Sequence, residues 1–257
     1  MPEVNGHEPG SHCWTELATT DPAAAKEFYT GLFGWTAEDT PAGPDMVYTM
    51  LRLRGLEVGA LYPQDKVERE HHVPPHWNVY IAVKSADGTA ARAKELGGKV
   101  LMEPFDVMEH GRMAVLQDPT GGTICAWEAR KHTGARIVRE PGATCWCELY
   151  TTDTTKAGPF YAQLFDWTLK ESPGYTEFHR AGAGIGGMMQ IGPDWGPVPS
   201  HWMPYFQVAE LDASAEKGKS LGGTFRIPPR DIPEVGRFSI LLDPQGAAFA
   251  IIRIDRP

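Results

Sequence analysis

Several features are scarce in this 257-residue chain, and each scarcity removes a class of function. No apolar run reaches the roughly 20 residues that a membrane-spanning helix needs. The opening "MPEVNGHEPGSHC" has neither the basic start nor the apolar middle of a signal peptide, so a cytoplasmic location is expected. Positive charge is also short: 24 Lys and Arg against 33 Asp and Glu give a net charge of −9, with the basic residues scattered. Nucleic acid and membrane surfaces are therefore not expected partners. There are only four cysteines, at 13, 125, 145 and 147, and "CWC" lacks the C-x-x-C spacing of a redox pair or zinc knuckle. All four are read as reduced thiols. On a strand Cys145 and Cys147 would share a face, an arrangement open to a metal but commoner as small apolar packing.

What the chain has in quantity is itself, twice. "FYTGLFGW" from Phe28 returns as "FYAQLFDW" from Phe160, and "HCWTELATTD" from His12 returns as "TCWCELYTTD" from Thr144. Further on, "PPHWNVYIAV" matches "PSHWMPYFQV" and "GRMAVLQDPTGG" matches "GRFSILLDPQGA". The chain is a tandem duplication. The expected organisation is a domain over residues 8–129, a linker over 130–142 rich in Gly, Pro and charge, and a second domain over 143–257.

Within each copy a smaller rhythm runs twice. "WTELATT" alternates like a strand, Asp21-Pro22 starts a helix, and Ala25, Phe28, Tyr29, Leu32 and Phe33 recur at helical spacing up to Gly34. Strand candidates follow near 47–53 and 57–62. The rhythm restarts with "WNVYIAV", a helix over 86–96, a Gly97-Gly98 stop, and strands near 99–102, 112–117 and 123–128. The unit is strand, helix, three strands, and there are four. In the second copy Gly158-Pro159 predicts a helix that starts late, near Pro159.

Four such units, with "DPAAAKEFYTGLFGW" after the first strand and "DPTG" before a last one, resemble the vicinal oxygen chelate superfamily, which holds glyoxalase I, bleomycin-resistance proteins and extradiol dioxygenases. The pattern is most similar to a two-domain glyoxalase-like subgroup, labelled hydroxylases, that includes a mycobacterial 27 kDa antigen. The resemblance covers roughly residues 11 to 255. It implies an α+β fold of tandem βαβββ units, forming two half-open barrel domains, each curled around a cup. In metal-dependent members, ligands come from the first and last strand of each unit, and His and carboxylate side chains hold a divalent ion with positions open to vicinal substrate oxygens.

Those positions do not carry such ligands here. They fall on Trp14, near Gly59, on Asn78 and on Cys125 in copy one, and on Trp146, Met203 and Ala250 in copy two. Indole and thioether cannot replace imidazole and carboxylate for a divalent ion of this kind. No metal site and no cofactor are expected, although a divalent metal stays open as a possibility.

Strand alternation implies what faces each cup. In copy one these are Trp14, Glu16, His76, Asn78, Tyr80, Cys125 and Trp127; in copy two, Trp146, Glu148, His201, Met203, Tyr205 and Ile252. If Trp14 faces Asn78 on antiparallel first strands, then Glu16 faces His76, and by the same count Glu148 faces His201. Each pair could orient a proton-transferring imidazole, or simply tie two strands together. Arg112 and Arg237 are candidate carboxylate holders or plain surface residues. His71 and His72 read as solvated, and "GAGIGGMM" as a turn entering a strand.

Three functions compete. One is an enzyme of glyoxalase, lyase or isomerase type acting on a small oxygenated metabolite. Another is a metal-free protein that sequesters an aromatic ligand between Trp and Tyr walls, with Trp14, Asn78, Tyr80, Cys125, Trp127, Trp146, Met203 and Tyr205 as contacts. In the third, copy two is a scaffold for copy one. The expected partner is a small molecule, and the chain is a monomer or homodimer.

Overall fold

The computed structural model describes residues 3–43 and 46–255. The first half contains β1 (His12–Thr19), α1 (Pro22–Phe33), β2 (Thr36–Pro41), β3 (Val47–Leu53), β4 (Leu56–Pro63), α2 (Lys66–Glu70), β5 (His76–Ala82), α3 (Ala86–Glu95), β6 (Lys99–Val107), β7 (Gly111–Gln117) and β8 (Thr123–Ala129). The second contains β9 (Thr144–Thr151), α4 (Thr154–Phe165), β10 (Thr168–Ser172), β11 (Tyr175–Arg180), β12 (Ala183–Gln190), β13 (His201–Gln207), α5 (Leu211–Ser220), β14 (Thr224–Ile232), β15 (Gly236–Leu242) and β16 (Ala248–Ile254). A short 3-10 turn, Pro193–Trp195, precedes β13. The four predicted βαβββ units are all present.

Each half forms one eight-stranded sheet, ordered β2-β3-β4-β1-β5-β8-β7-β6 and β10-β11-β12-β9-β13-β16-β15-β14. The first strands of the two units lie antiparallel at the centre, and each pairs in parallel with its own unit's last strand. Neither sheet closes into a barrel. α1 starts where the Asp21 carboxylate accepts from the Ala23 and Ala24 amides, and ends at Gly34 with φ 72°. In α4 the cap is Asp153, accepting from Thr155 and Lys156, and the left-handed terminus is Asp166.

One expectation fails here. α4 does not wait for Pro159 but begins at Thr154 and runs through the proline. The Asp153 cap satisfies the first amides, and the proline, less than two turns in, forfeits a single hydrogen bond that packing of Phe160 and Tyr161 outweighs.

The repeated aromatic helix owes its conservation in both copies to the partner it packs on. Phe28, Tyr29 and Leu32 of α1 bury against Leu17, Leu61 and Trp77 of their own sheet and against Phe206, Phe249 and Ile251 of the other. Phe160 and Tyr161 of α4 sit between Val79, Ile81 and Ile124 of the first sheet and Leu149, Phe178 and Trp202 of the second. Each helix thus helps form a core shared by both domains. Polar contacts follow the same exchange: Trp77 Nε1 donates to Tyr29 Oη at 3.0 Å, and Tyr29 donates to Asp243 Oδ2 of the second domain at 3.0 Å. Trp202 Nε1 donates to Tyr161 Oη at 2.9 Å, and Tyr161 reaches back to the Gly122 carbonyl at 3.5 Å. The other faces of the sheets, away from the helices, form the cups.

Candidate active site: two aromatic cups

The central register differs from the expected one by two residues. Trp14 faces Tyr80, Glu16 faces Asn78, and Ala18 faces His76; in the second sheet Trp146 faces Tyr205, Glu148 faces Met203, and Tyr150 faces His201. Beyond this paired run each sheet has a one-residue irregularity, between His12 and Trp14 in the first and between Tyr205 and Phe206 in the second. A slip of two preserves the face, so the cup-facing set survives while the pairs do not. The expected Glu16–His76 and Glu148–His201 pairs are therefore absent. His76 lies at the cup mouth, with Nδ1 2.9 Å from the Pro74 carbonyl and Nε2 3.9 Å from Glu68. His201 stands likewise, Nδ1 2.8 Å from the Pro199 carbonyl and its ring stacked on Tyr150 at 5.4 Å.

The carboxylates have tyrosines as partners instead. Glu16 accepts from Tyr48 at 2.8 Å and from Tyr80, and Trp14 Nε1 donates to Tyr48 Oη at 3.2 Å. Glu148 accepts from Tyr175 at 2.8 Å and from Tyr205 at 3.2 Å, and Trp146 Nε1 donates to Tyr175 at 3.1 Å. Burial pushes both carboxyls above the ordinary value of 4.5, and the tyrosine hydrogen bonds pull back only part of the way. Gly187 makes the second network possible, because a Cβ there would collide with the Tyr175 hydroxyl.

Around these networks the two cups diverge. In the first, Trp14, Tyr80, Cys125 and Trp127 form a buried floor, while Tyr48, Met50, Met113 and Val115 make a half-buried wall. Asn78 Nδ2 donates to Tyr62 Oη at 2.9 Å on that wall. In the second, Met203, Ala250, Ile252 and Phe238 replace the polar wall, and Tyr150 and Tyr205 bond each other at 2.6 Å. Trp195 lies over Tyr150, ring centroids 5.1 Å apart, held by Arg226 donating to its carbonyl at 2.6 Å.

The sequence reading missed Tyr48, Tyr62, Tyr150 and Tyr175. Tyr48 and Met50 alternate on β3, and that alternation was the available signal. It also missed His132, which enters the first cup from the segment after β8, with its ring 4.5 Å from Trp14 and 5.8 Å from Trp127. Arg112 and Arg237 are not free for a ligand: each clamps two aspartates, Asp87 with Asp106 and Asp212 with Asp231. His71 and His72 are exposed. "GAGIGGMM" is the turn into β12, as expected, with Ala181 and Gly182 at positive φ.

The donor set does not fit a divalent metal. Trp14, Asn78 and Cys125 occupy the implied positions, and among the described residues no group of three or more His, Cys, Asp or Glu is placed to hold an ion. A separate cavity of about 250 Å³ lies between the domains, bordered by His12, Thr15, Arg139 and Thr144. His12 sits between Trp167 and Trp202, and burial lowers its pKa to about 3. Both His12 ring nitrogens are buried without a hydrogen-bond partner among the described residues, and the cavity has no counterpart of the polar networks that recur in the two cups.

Comparison with known proteins agrees with this architecture. Residues 12–126 and 145–251 match the Glyoxalase/Bleomycin resistance protein/Dioxygenase superfamily. CFP32 of Mycobacterium bovis, named as a candidate glyoxylase, is 39% identical over 259 residues, spanning 98% of both chains. The anthracycline biosynthesis protein DauV of a Streptomyces species is 35% identical, covering 96% of this chain and 94% of its own. The Mn(II)-bound glyoxalase of Novosphingobium aromaticivorans superposes with a TM-score of 0.65 at 15% identity, over 95% of this chain and 82% of that one, a likeness of fold. Among the described residues no helix is long and apolar enough to cross a membrane. With both halves matched and the sheet order repeated, this chain belongs to the glyoxalase, bleomycin-resistance and dioxygenase superfamily.

Proposed function

We propose that the first cup binds a small, oxygenated, ring-bearing metabolite without the usual divalent metal. The observation that carries the reading is the polar network buried in an aromatic floor: Glu16 with Tyr48 and Tyr80, beside Asn78 with Tyr62. Trp14 and Trp127 supply a buried apolar floor, and the half-buried Asn78 and Tyr62 stand where a hydroxyl or carbonyl would seek a partner. Burial pushes the Glu16 carboxyl above its ordinary range, away from the charged form that would draw a cation. The likeness to DauV, named as an anthracycline biosynthesis protein, supports a ring-bearing ligand.

Calorimetric titration of the full chain with a hydroxyanthraquinone, after elemental mass spectrometry of protein purified without chelator, tests the reading. Binding near one per chain is expected, with Asn78→Leu weakening it about tenfold or more, the scale of one lost polar contact. Stoichiometric metal would overturn the metal-free part, and unaltered binding by Asn78→Leu would overturn the cup assignment.

A second reading, binding without turnover, draws on the second cup. Met203, Ala250 and Ile252 line it, and Trp195 covers it. That cup carries less of what chemistry requires and more of what packing requires, in keeping with a supporting role.

A further inference from the structure

We infer that His132 is the proton-transferring residue of the first cup and that Glu57 is its positioning residue. This rests on the ligand reading above. His132 Nδ1 lies 3.4 Å from Glu57 Oε2, and the other Glu57 oxygen is 3.2 Å from Arg52 Nη1. The imidazole holds the Glu57 carboxyl below its ordinary range. The dyad is rigidly set: Trp127 Nε1 donates to the His132 carbonyl at 2.9 Å, and the His132 amide donates to the His110 carbonyl at 3.0 Å. Its ring stands edge-on to Trp14 and Trp127 in the cup that holds Glu16.

Among the described residues the buried Nε2 has no hydrogen-bond partner. With Nδ1 committed to Glu57, Nε2 is the nitrogen left to accept a proton, the arrangement by which a carboxylate fixes an imidazole tautomer. The class of substrate is an acidic O–H on a planar ring, a phenol or enol. The step is a reversible transfer: the ligand O–H bond breaks, its electron pair stays on oxygen, and the proton goes to His132 Nε2, giving an imidazolium stabilised by Glu57.

The fold does not require this arrangement, because the second domain builds the same sheet without it. By the register of the paired strands, Arg52 and Glu57 correspond to His179 and Gly184. Trp127 corresponds to Ile252, and His179 is taken up by Glu177 at 2.7 Å. A clasp needed only to hold the segment after β8 would not call for a charged relay aimed at an aromatic floor.

Two measurements on the full chain test the assignment. Nitrogen-15 histidine spectra should show the neutral form of His132 with its proton on Nδ1 and a bare Nε2, and Glu57→Gln should disturb that tautomer. Titration with 1,2-dihydroxyanthraquinone, whose colour reports its ionisation, should show the bound dye losing its proton at least about one pH unit lower in wild type than in His132→Asn. The Glu57→Gln variant should fall between them, and it replaces His132→Asn should that variant not fold. Equal ionisation of bound dye in wild type and both variants, or an Nε2 that stays protonated, overturns the assignment. If the dye binds none of the proteins, the ligand reading fails, while the dyad is then decided by the tautomer alone.

Discussion

The two cups begin from the same pieces and end as different environments. Trp14 and Trp146, Glu16 and Glu148, Tyr48 and Tyr175, Tyr80 and Tyr205 form matching networks. The first cup then adds Asn78, Tyr62 and the His132–Glu57 dyad, and the second adds Met203, Ile252, a Tyr150–Tyr205 bond and the Trp195 cover. The shared part is what a central carboxyl needs to be buried. The unshared part is where a ligand would be distinguished, so duplication has kept the carboxyl–tyrosine frame twice and varied what surrounds it.

The largest break in this comparison should come from removing the carboxyls. Glu16→Ala strands the Tyr48 and Tyr80 hydroxyls, leaving Tyr80 only the weak Cys125 acceptor. Glu148→Ala leaves Tyr205 its bond with Tyr150. Urea unfolding should show a loss of about 3 kcal/mol for the first and about 2 for the second, from the cost of unpaired buried polar groups. Equal losses would mean that the Tyr150–Tyr205 bond does not compensate.

Next come the helix tyrosines that join the domains. Tyr29→Phe takes a donor from the Asp243 carboxyl and an acceptor from Trp77 and should cost about 2 kcal/mol. Tyr161→Phe breaks one 2.9 Å bond from Trp202 and one long contact to a carbonyl and should cost about 1. The same unfolding experiment ranks them, and a reversed order would show that the two interlocks are not the unequal pair their distances describe.

The smallest effect expected is on the pH dependence of stability. Glu16 and Glu148 have folded-state values above the ordinary 4.5, so their contribution is complete below 4.5 and declines as pH rises through the folded values. Asp243 is shifted the same way by burial. Melting temperature followed from pH 4 upward should fall less in the Glu16→Gln, Glu148→Gln double variant than in wild type. Parallel curves would show that neither carboxyl is shifted upward in the fold.

Much of this protein was legible before any coordinates. The duplication is visible as two near-copies of one sequence, and the strand-helix-strand-strand-strand rhythm and the cup-facing alternation come from short-range periodicities, which depend only on residues a few positions apart. The failure of the expected metal positions was legible too, since Trp14, Asn78 and Cys125 are what they are in any fold. Only the tertiary structure decided which glutamate meets which residue across the sheet, because the central strands pair two residues away from the expected register while leaving each side chain on its face. It also decided that Tyr29 would reach Asp243, 214 positions away, and that His132 would leave the chain segment after β8 to stand against Trp14. Those contacts arise from long-range packing of two sheets around shared helices, and no local pattern encodes the partner at the far end.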